Sequence, residues 1–255
     1  MKIATWNINS INARLEHILR WLDSTQTDVL CLQETKCRDS KFPIGPLGSA
    51  GYSAEFLGEK SYNGVAILSK YPISNVQKNM PDDVEESPKR FIAADVEGVR
   101  IVNIYVPQGT KPGTEKFDFK LEWLRRLRKY FDENCPRDSD ILLCGDFNVA
   151  PEPIDVWAPA RREGKIHFTR PERAAIDDLM EWGFTDVFRM LNPGLMEFSW
   201  WDKKTRAFSK DHGLRIDHIW TSEDLADRCR RSWIDREPRG WKRPSDHAPV
   251  IAEFE

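Results

Sequence analysis

The residues best suited to chemistry follow a short apolar run, where Asp146 and Asn148 stand two positions apart in DILLCGDFNVA, residues 140–150. The run Ile141–Cys144 is typical of a strand buried on both faces, and we expect Gly145 to end it. In an extended chain, side chains two positions apart point to the same face. Carboxylate and amide oxygens are ligands for hard cations. Taken alone, the pair is more typical of a polar turn that Asp146 caps.

Other predicted strands also end in polar residues. These are, in chain order, Asn7 and Asn9, Glu34, Tyr105, Asp146 and Asn148, and Asp217, while Ser245, Asp246 and His247 precede the last strand. Loops at strand ends converge on one edge of an α/β protein, and binding sites assemble there. We therefore expect these residues to meet at one edge.

Each of these residues also has a purely structural interpretation, so the prediction depends on the set and not on its members. Six strands that end this way by coincidence are much less probable than six that share a site. The structural alternatives are a helix cap for Asn7, a surface acid for Glu34, a core residue for Tyr105, an ion pair with Arg215 for Asp217 and a structural histidine for His247.

As a set, these side chains indicate metal-assisted attack on a phosphodiester. Two or three carboxylates with amide oxygens suit Mg²⁺ or Mn²⁺. Such an ion polarises the phosphoryl oxygen and stabilises charge on the leaving oxygen. An Asp–His pair can orient an imidazole that donates to the phosphate, and a tyrosine hydroxyl can stabilise the same oxyanion.

The elements that must position these residues follow an α/β pattern that starts with a β–α–β unit. Apolar spacing predicts helices over residues 11–22 and 117–131, and Thr169–Glu172 forms a capping box that opens a third. A hairpin is expected to turn at Glu97-Gly98. Strands are predicted at 2–8, 28–32, 63–69, 91–96, 100–106, 140–148, 215–221 and 248–254, with a short one at 198–201. Because strands run from the first residues to the last and no linker is evident, we expect a single domain, residues 1–255.

Composition excludes several classes of protein. No apolar run approaches the ~20 residues that span a bilayer, and no signal peptide is evident. The five cysteines are scattered with no CxxC pair, which favours reduced thiols in a cytoplasmic protein and disfavours a zinc site. A net charge of −3 argues only weakly against nucleic acid, because local basic clusters exist, including Lys203, Lys204, Arg206 and Lys210 in one predicted loop.

Several motifs resemble the exonuclease III family of abasic-site endonucleases, which belongs to the deoxyribonuclease I-like superfamily. The resemblance covers essentially the whole chain. GDFN and SDH also occur in distant superfamily members, whereas LQETK, YVPQG and GLRIDH are specific to the DNA-repair branch. The motifs are TWNINS (5–10), LQETK (32–36), YVPQG (105–109), GDFNVAPEPIDV (145–156), GLRIDHI (213–219) and PSDHAPV (244–250).

The resemblance implies a four-layer α/β sandwich of two packed β-sheets flanked by helices, with a metal site at one edge. Glu34 would be the principal ligand of Mg²⁺ or Mn²⁺, with Asn7 beside it and Asp246 nearby. Asp146 and Asn148 would instead hold a second metal if the site contains two ions. Asn9 stands where some relatives have aspartate, so any metal contact from it would be weak.

The resemblance also implies catalytic roles for residues around the metal. Asp146 would position or deprotonate the attacking water, helped by Asn148. Asp217 would hold His247, and Tyr105 would contact the scissile phosphate.

A small apolar pocket for the sugar of an abasic site is implied at Trp200, Leu214 and Ile216, for each of which core packing is the alternative. Leu214 departs from relatives that carry tryptophan there, which would leave a looser pocket and broader exonuclease action. Gln108 is expected to contact the DNA backbone. Lys204 lies in the loop that carries an apolar wedge in some relatives, and the basic residues there favour phosphate contact.

These observations predict a monomeric, cytoplasmic, metal-dependent DNA-repair nuclease without a membrane partner. It would cut double-stranded DNA 5′ to abasic sites and trim 3′ ends as a 3′→5′ exonuclease and phosphatase. One alternative is a phosphoesterase of the same superfamily that acts on a non-DNA substrate such as a lipid or inositol phosphate. Another is a non-catalytic nucleic-acid-binding module, which would be expected to lack one of Glu34, Asp146 or His247.

Overall fold

The computed structural model describes all 255 residues, Met1–Glu255, and contains two six-stranded mixed sheets. The strands are β1 (Lys2–Asn7), β2 (Val29–Gln33), β3 (Ser53–Leu57), β4 (Val65–Ser69), β5 (Ser74–Lys78), β6 (Phe91–Val96), β7 (Val99–Tyr105), β8 (Ile141–Asp146), β9 (Thr185–Asp186), β10 (Asp217–Thr221), β11 (Cys229–Ile234) and β12 (Val250–Phe254). The helices are α1 (Ile11–Thr25), α2 (Ile44–Ser49), α3 (Glu115–Asn134), α4 (Pro159–Arg162), α5 (Arg170–Met180), α6 (Val187–Leu191) and α7 (Glu223–Asp227). One sheet has the order β11-β12-β1-β2-β4-β3, and the other has the order β5-β6-β7-β8-β10-β9.

The two sheets pack against each other, and helices cover their outer faces. Successive residues of a buried strand point to opposite sides, so Cys144 lies in the 26-residue cluster between the sheets and Leu143 lies in a 20-residue cluster beneath α3 and α5. A third cluster, of 16 residues, packs β1 and β2 on α1 and α2. The resulting helix–sheet–sheet–helix order confirms the predicted four-layer sandwich. The cluster between the sheets contains residues drawn from almost the whole chain, the first being Ile3 and the last Phe254. This is in keeping with a single domain, which stays a prediction.

The eight main predicted strands are all present, and no end differs from its prediction by more than two residues. The sequence failed to predict β3, β5, β9 and β11, which are the four edge strands of the two sheets. An edge strand has a neighbour on one side only, and here each of the three longer ones includes exposed residues, so its apolar pattern is weak. The short strand predicted at 198–201 is reduced to isolated bridges at Trp200.

Gly145 does not end its strand, as the sequence had indicated, because β8 continues to Asp146. Gly145 lies opposite Ile104 of β7, with φ of +144°, and a Cβ there would lie 1.9 Å from the Ile104 carbonyl oxygen. Glycine therefore permits close approach of the two strands and carries the strand on to the carboxylate.

Two predicted local signals are present as expected. The hairpin between β6 and β7 turns at Glu97 and Gly98, both with positive φ, as a tight hairpin turn requires. The capping box of α5 is reciprocal: Glu172 N donates to Thr169 Oγ1, and Thr169 N donates to Glu172 Oε2.

Two parallel strand pairs direct four carboxyl-terminal strand ends to one edge of the molecule. β1 pairs in parallel with β2 through the α1 crossover, and β7 pairs in parallel with β8 through α3. β10 runs antiparallel to β8, so Asp217 at its start lies opposite Asp146 at the end of β8.

No helix of the chain is long and apolar enough to cross a membrane. All five cysteines are free.

Candidate active site

Side chains from three regions of the chain converge at this edge. Ligand atoms of Glu34, Asp146 and His247 all lie within 4.8 Å of one another. Glu34 follows β2, Asp146 ends β8, and His247 precedes β12, so the contact requires both sheets. The three side chains face one shared space large enough for a small charged group.

Asn7 connects the two carboxylates. Its Nδ2 donates to Glu34 Oε1 at 2.9 Å and to Asp146 Oδ2 at 2.9 Å, while its Oδ1 accepts from the backbone N of Asn9. Asn7 makes no helix cap, because Ser10 is the N-cap residue of α1. In this arrangement Asn7 holds the acids at a fixed separation, and its role as an oxygen ligand stays a prediction.

His247 lies between two carboxylates. Its Nδ1 lies 2.8 Å from Asp217 Oδ2, and its Nε2 lies 3.8 Å from Asp146 Oδ2. Burial alone would lower the pKa of His247, but Asp217 and Asp146 outweigh it and raise the pKa to about 10. Asp217 does not pair with Arg215, which binds Asp155 and Asp186 instead. The imidazole therefore carries a proton at neutral pH.

Asp146 is buried and oriented by neighbouring donors. The backbone N of Asn148 donates to Asp146 Oδ1 at 2.9 Å, and the Asn148 side chain donates to the Val106 carbonyl. Burial, partly offset by His247, raises the pKa of Asp146 to about 7. A carboxylate that is half-protonated near neutral pH can take a proton from water, as a general base must.

Lys36 is a site residue that the sequence analysis did not single out, although it lies within the motif LQETK. Its Nζ lies 2.6 Å from Glu34 Oε2 and donates to Asn9 Oδ1 at 2.7 Å. Burial would raise the pKa of Glu34, but Lys36 and Asn7 outweigh it and lower the pKa. Burial and the charges of Glu34 and Asp146 raise the pKa of Tyr105, so its hydroxyl keeps its proton and remains a donor.

Asp246 forms the side of the site that faces the basic loop. It accepts from Asn9 Nδ2 at 2.8 Å and from Trp200 Nε1 at 3.3 Å, and Lys203 Nζ lies 3.3 Å from its Oδ1. Burial would raise the pKa of Asp246, but His247 and Lys203 hold it well below its usual range. Asp246 therefore remains ionised.

A cavity of about 250 Å³ opens over these groups, with Trp200 and His167 in its wall. Leu214 and Ile216, expected beside Trp200, do not line it, because they pack in a small apolar cluster with Phe168. Gln108 lines the cavity, and Lys204 does not.

His167 had no signal in the sequence that linked it to the site. Its ring centroid lies 5.7 Å from that of Trp200, and its Nδ1 donates to the Asn148 carbonyl at 2.7 Å. Burial and the charge of Lys120 lower its pKa to about 3, so the ring is neutral. His167 therefore lines the cavity beside Trp200, which is the one residue of the predicted sugar pocket that also lines it.

The backbone around the site is strained. Non-glycine residues with positive φ are uncommon, and they persist where the surrounding structure fixes them, which is often at functional sites. Six lie here: Asn9, Ser10, Glu34, Lys36, Asn148 and His167, with φ of 49°, 93°, 51°, 50°, 53° and 73°.

The fold and the site together define a two-sheet α/β phosphoesterase. The donor set fits a divalent cation, since Glu34 and Asp146 place carboxylate oxygens close together. The chain matches the model of the Endonuclease/Exonuclease/phosphatase family over residues 4–247 and belongs to that family.

Full-length relatives identify the branch. Exodeoxyribonuclease III of Haemophilus influenzae is 36% identical, with all of both chains covered. An AP endonuclease structure from Archaeoglobus fulgidus is 39% identical, with a TM-score of 0.97 over 100% of this chain and 99% of that one. A 3′-5′ exonuclease structure from Neisseria meningitidis is 38% identical, with a TM-score of 0.97 and all of both chains covered. The chain is a DNA-repair nuclease of the exonuclease III type and hence a hydrolase.

Proposed function

We propose that the protein hydrolyses the phosphodiester 5′ to abasic sites and removes nucleotides or phosphate from the 3′ ends of duplex DNA. The observation that carries the proposal is the convergence of Glu34, Asp146 and His247 within 4.8 Å. Similar structures of an AP endonuclease, a 3′-5′ exonuclease and a 3′ phosphatase support this range of substrates. We further propose that it works as a cytoplasmic monomer, with residues 1–255 as one domain.

Glu34 would hold Mg²⁺ or Mn²⁺, with Asp146 and Asp246 within reach of the same space. When bound, the ion supplies Lewis-acid polarisation of the phosphoryl oxygen and charge stabilisation. The protonated His247 would donate to a phosphate oxygen, and Asp217 keeps it oriented and charged. Tyr105 would donate to the same phosphate.

Asp146 would orient the attacking water and accept its proton, because its pKa of about 7 is matched to that task. Asn148 fixes the carboxylate through its backbone N. Asn7 donates to Asp146 Oδ2, which orients the acid relative to Glu34.

The test is a panel of end-labelled duplexes that carry an internal abasic site, a recessed 3′ end or a 3′-phosphate. Each is incubated with Mg²⁺, with Mn²⁺ or with chelator. We expect chelator to stop cleavage and Glu34→Gln and Asp146→Asn each to slow it by about 100-fold or more. Added metal should restore part of the Glu34→Gln activity but none of the Asp146→Asn activity.

Asp138→Asn is the matched control, since Asp138 is exposed and has no side-chain partner. Near-normal cleavage by either site variant, or full activity in chelator, would contradict the proposal.

A further inference from the structure

A second pocket, of about 340 Å³, lies next to the active site, since Lys203 in its wall contacts Asp246. Its wall contains four arginines and one lysine, which are Arg14, Arg206, Arg239, Arg243 and Lys203. We call this the arginine pocket. Asp202 is the one carboxylate in its wall, and its Oδ1 accepts from the backbone N of Lys204 in the local turn.

The arginines of the pocket have little counter-charge from the protein, since Asp246 is the one carboxylate that acts on both Arg14 and Arg239. None of them forms a salt bridge, and Arg14 donates only to backbone carbonyl oxygens, those of Asn9, Arg243 and Pro244. The side chains of Arg206 and Arg243 are exposed and make no hydrogen bond within the chain. The pocket therefore concentrates positive charge that the fold neutralises only in part, through Asp246.

Arg239 is the most informative member because it is 93% buried, with an exposed fraction of 7%. Its Nη1 donates to the Ser245 carbonyl, its Nε has no partner, and its guanidinium lies 4.9 Å from the Phe208 ring centroid. A buried cation that forms no ion pair is costly to the fold. Such a residue, in the wall of a pocket that also contains the exposed and unpaired Arg206 and Arg243, indicates a site built for an anion.

Guanidinium groups bind phosphate through paired N–H donors, and arginine is favoured wherever phosphate is recognised. The position of the pocket narrows the source of that phosphate. Lys203 in its wall lies 3.3 Å from Asp246, which also lines the active-site cavity. A DNA strand with one phosphate in that cavity must present its neighbouring phosphates close by.

We propose that the arginine pocket binds a backbone phosphate of the DNA next to the cleaved bond, which extends the substrate contact beyond the active-site cavity. This inference rests on the proposed function. It assigns the positioning of the DNA to Arg206 and Arg243 rather than to Lys204, which lies in the same loop but outside the pocket. Phosphate contacts of this kind set affinity and register and carry no sequence information.

The test compares Arg206→Gln/Arg243→Gln with a charge-matched control, Arg230→Gln/Arg231→Gln. The control residues lie on the edge strand β11, with exposed fractions of 55% and 72%. Binding to a duplex with a recessed 3′ end is measured over a series of salt concentrations, with chelator present to prevent cleavage. We expect the pocket variant to reduce the slope of log affinity against log salt by about 1, and the control to leave it unchanged.

A second measurement locates the phosphate. Each linkage near the cleavage position is replaced in turn by an uncharged methylphosphonate. One replacement should weaken binding of the unaltered protein and have no further effect on the pocket variant. The proposal would be overturned by an unchanged salt slope in the pocket variant. It would also be overturned if methylphosphonate replacement weakened binding of the pocket variant as much as binding of the unaltered protein at every position.

Cleavage assays separate the two proposals. If the unaltered protein cleaves the duplex and the pocket variant has an unchanged salt slope, only the proposal for the arginine pocket is overturned. An unaltered protein that fails to cleave any DNA overturns the proposed function, and this inference with it. Equal melting temperatures of the variants exclude misfolding as the cause of a change.

Discussion

The Nδ1 of His247 lies 2.8 Å from Asp217 Oδ2, and this contact joins the loop before β12 to the start of β10. Ser199 Oγ accepts from the backbone N of Asp217 and so fixes the carboxylate in turn. An imidazolium held in this way keeps both its orientation and its proton.

Replacing Asp217 with Asn removes the negative charge but keeps the shape of the side chain. We expect the pKa of His247 to fall and the single-turnover cleavage rate to fall by about 100-fold to 10,000-fold. NMR titration of the His247 ring and single-turnover kinetics check the two effects separately. An unchanged rate would show that Asp217 is not needed to orient the imidazole, and Asp138→Asn serves as the control.

His167 narrows the cavity beside Trp200, so its size should decide which substrates enter. We expect His167→Ser to raise the rate at internal abasic sites, relative to removal of 3′-terminal nucleotides, by about ten-fold or more. The ratio of the two rates on matched duplexes is the measurement. A proportional change in both rates would assign His167 a structural role only.

Lys120 is a buried cation that connects three segments around the site. Its Nζ donates to the carbonyls of Asn148 and Gln108 and pairs with Glu172, and both charged side chains are fully buried. Lys120→Met should destabilise the protein by about 3–5 kcal/mol, because it leaves Glu172 buried without its partner. Denaturant unfolding measures the loss, and adding Glu172→Gln should recover part of it. Additive losses in the double variant would contradict the pairing.

His218 links stability to pH. It is fully buried, its Nε2 donates to the Val149 carbonyl, and its Nδ1 accepts from Arg215. Burial and the charge of Arg215 lower its pKa to about 4. The unfolded chain takes up a proton below its ordinary pKa of about 6.5 while the folded chain does not, so stability falls as pH decreases from that value to about 4.

The contribution of His218 over that range is about 3 kcal/mol. His218→Gln, which does not titrate, should show a shallower loss of unfolding free energy between about pH 6.5 and 4. Urea unfolding at several pH values provides the comparison. Parallel curves for the two proteins would contradict the assignment of a neutral buried His218.

The sequence by itself determined the interior of the protein. Strands buried on both faces have continuous apolar runs, so β1, β2, β7 and β8 were all predicted, and their polar ends identified most of the side chains that meet at the site. These signals are local, since each depends on residues adjacent in the chain.

Only the tertiary structure decided the features that depend on partners far apart in the chain. The edge strands were not predicted, because each has a neighbouring strand on one side only and its exposed residues weaken the apolar pattern. His167 lines the cavity because the fold brings it to the Asn148 carbonyl, to which its ring donates. Leu214 does not line the cavity, because it packs in an apolar cluster instead. The arginine pocket contains Arg14 and Arg243, which are 229 positions apart in the chain. Their positive charges therefore lie close together only in the folded protein.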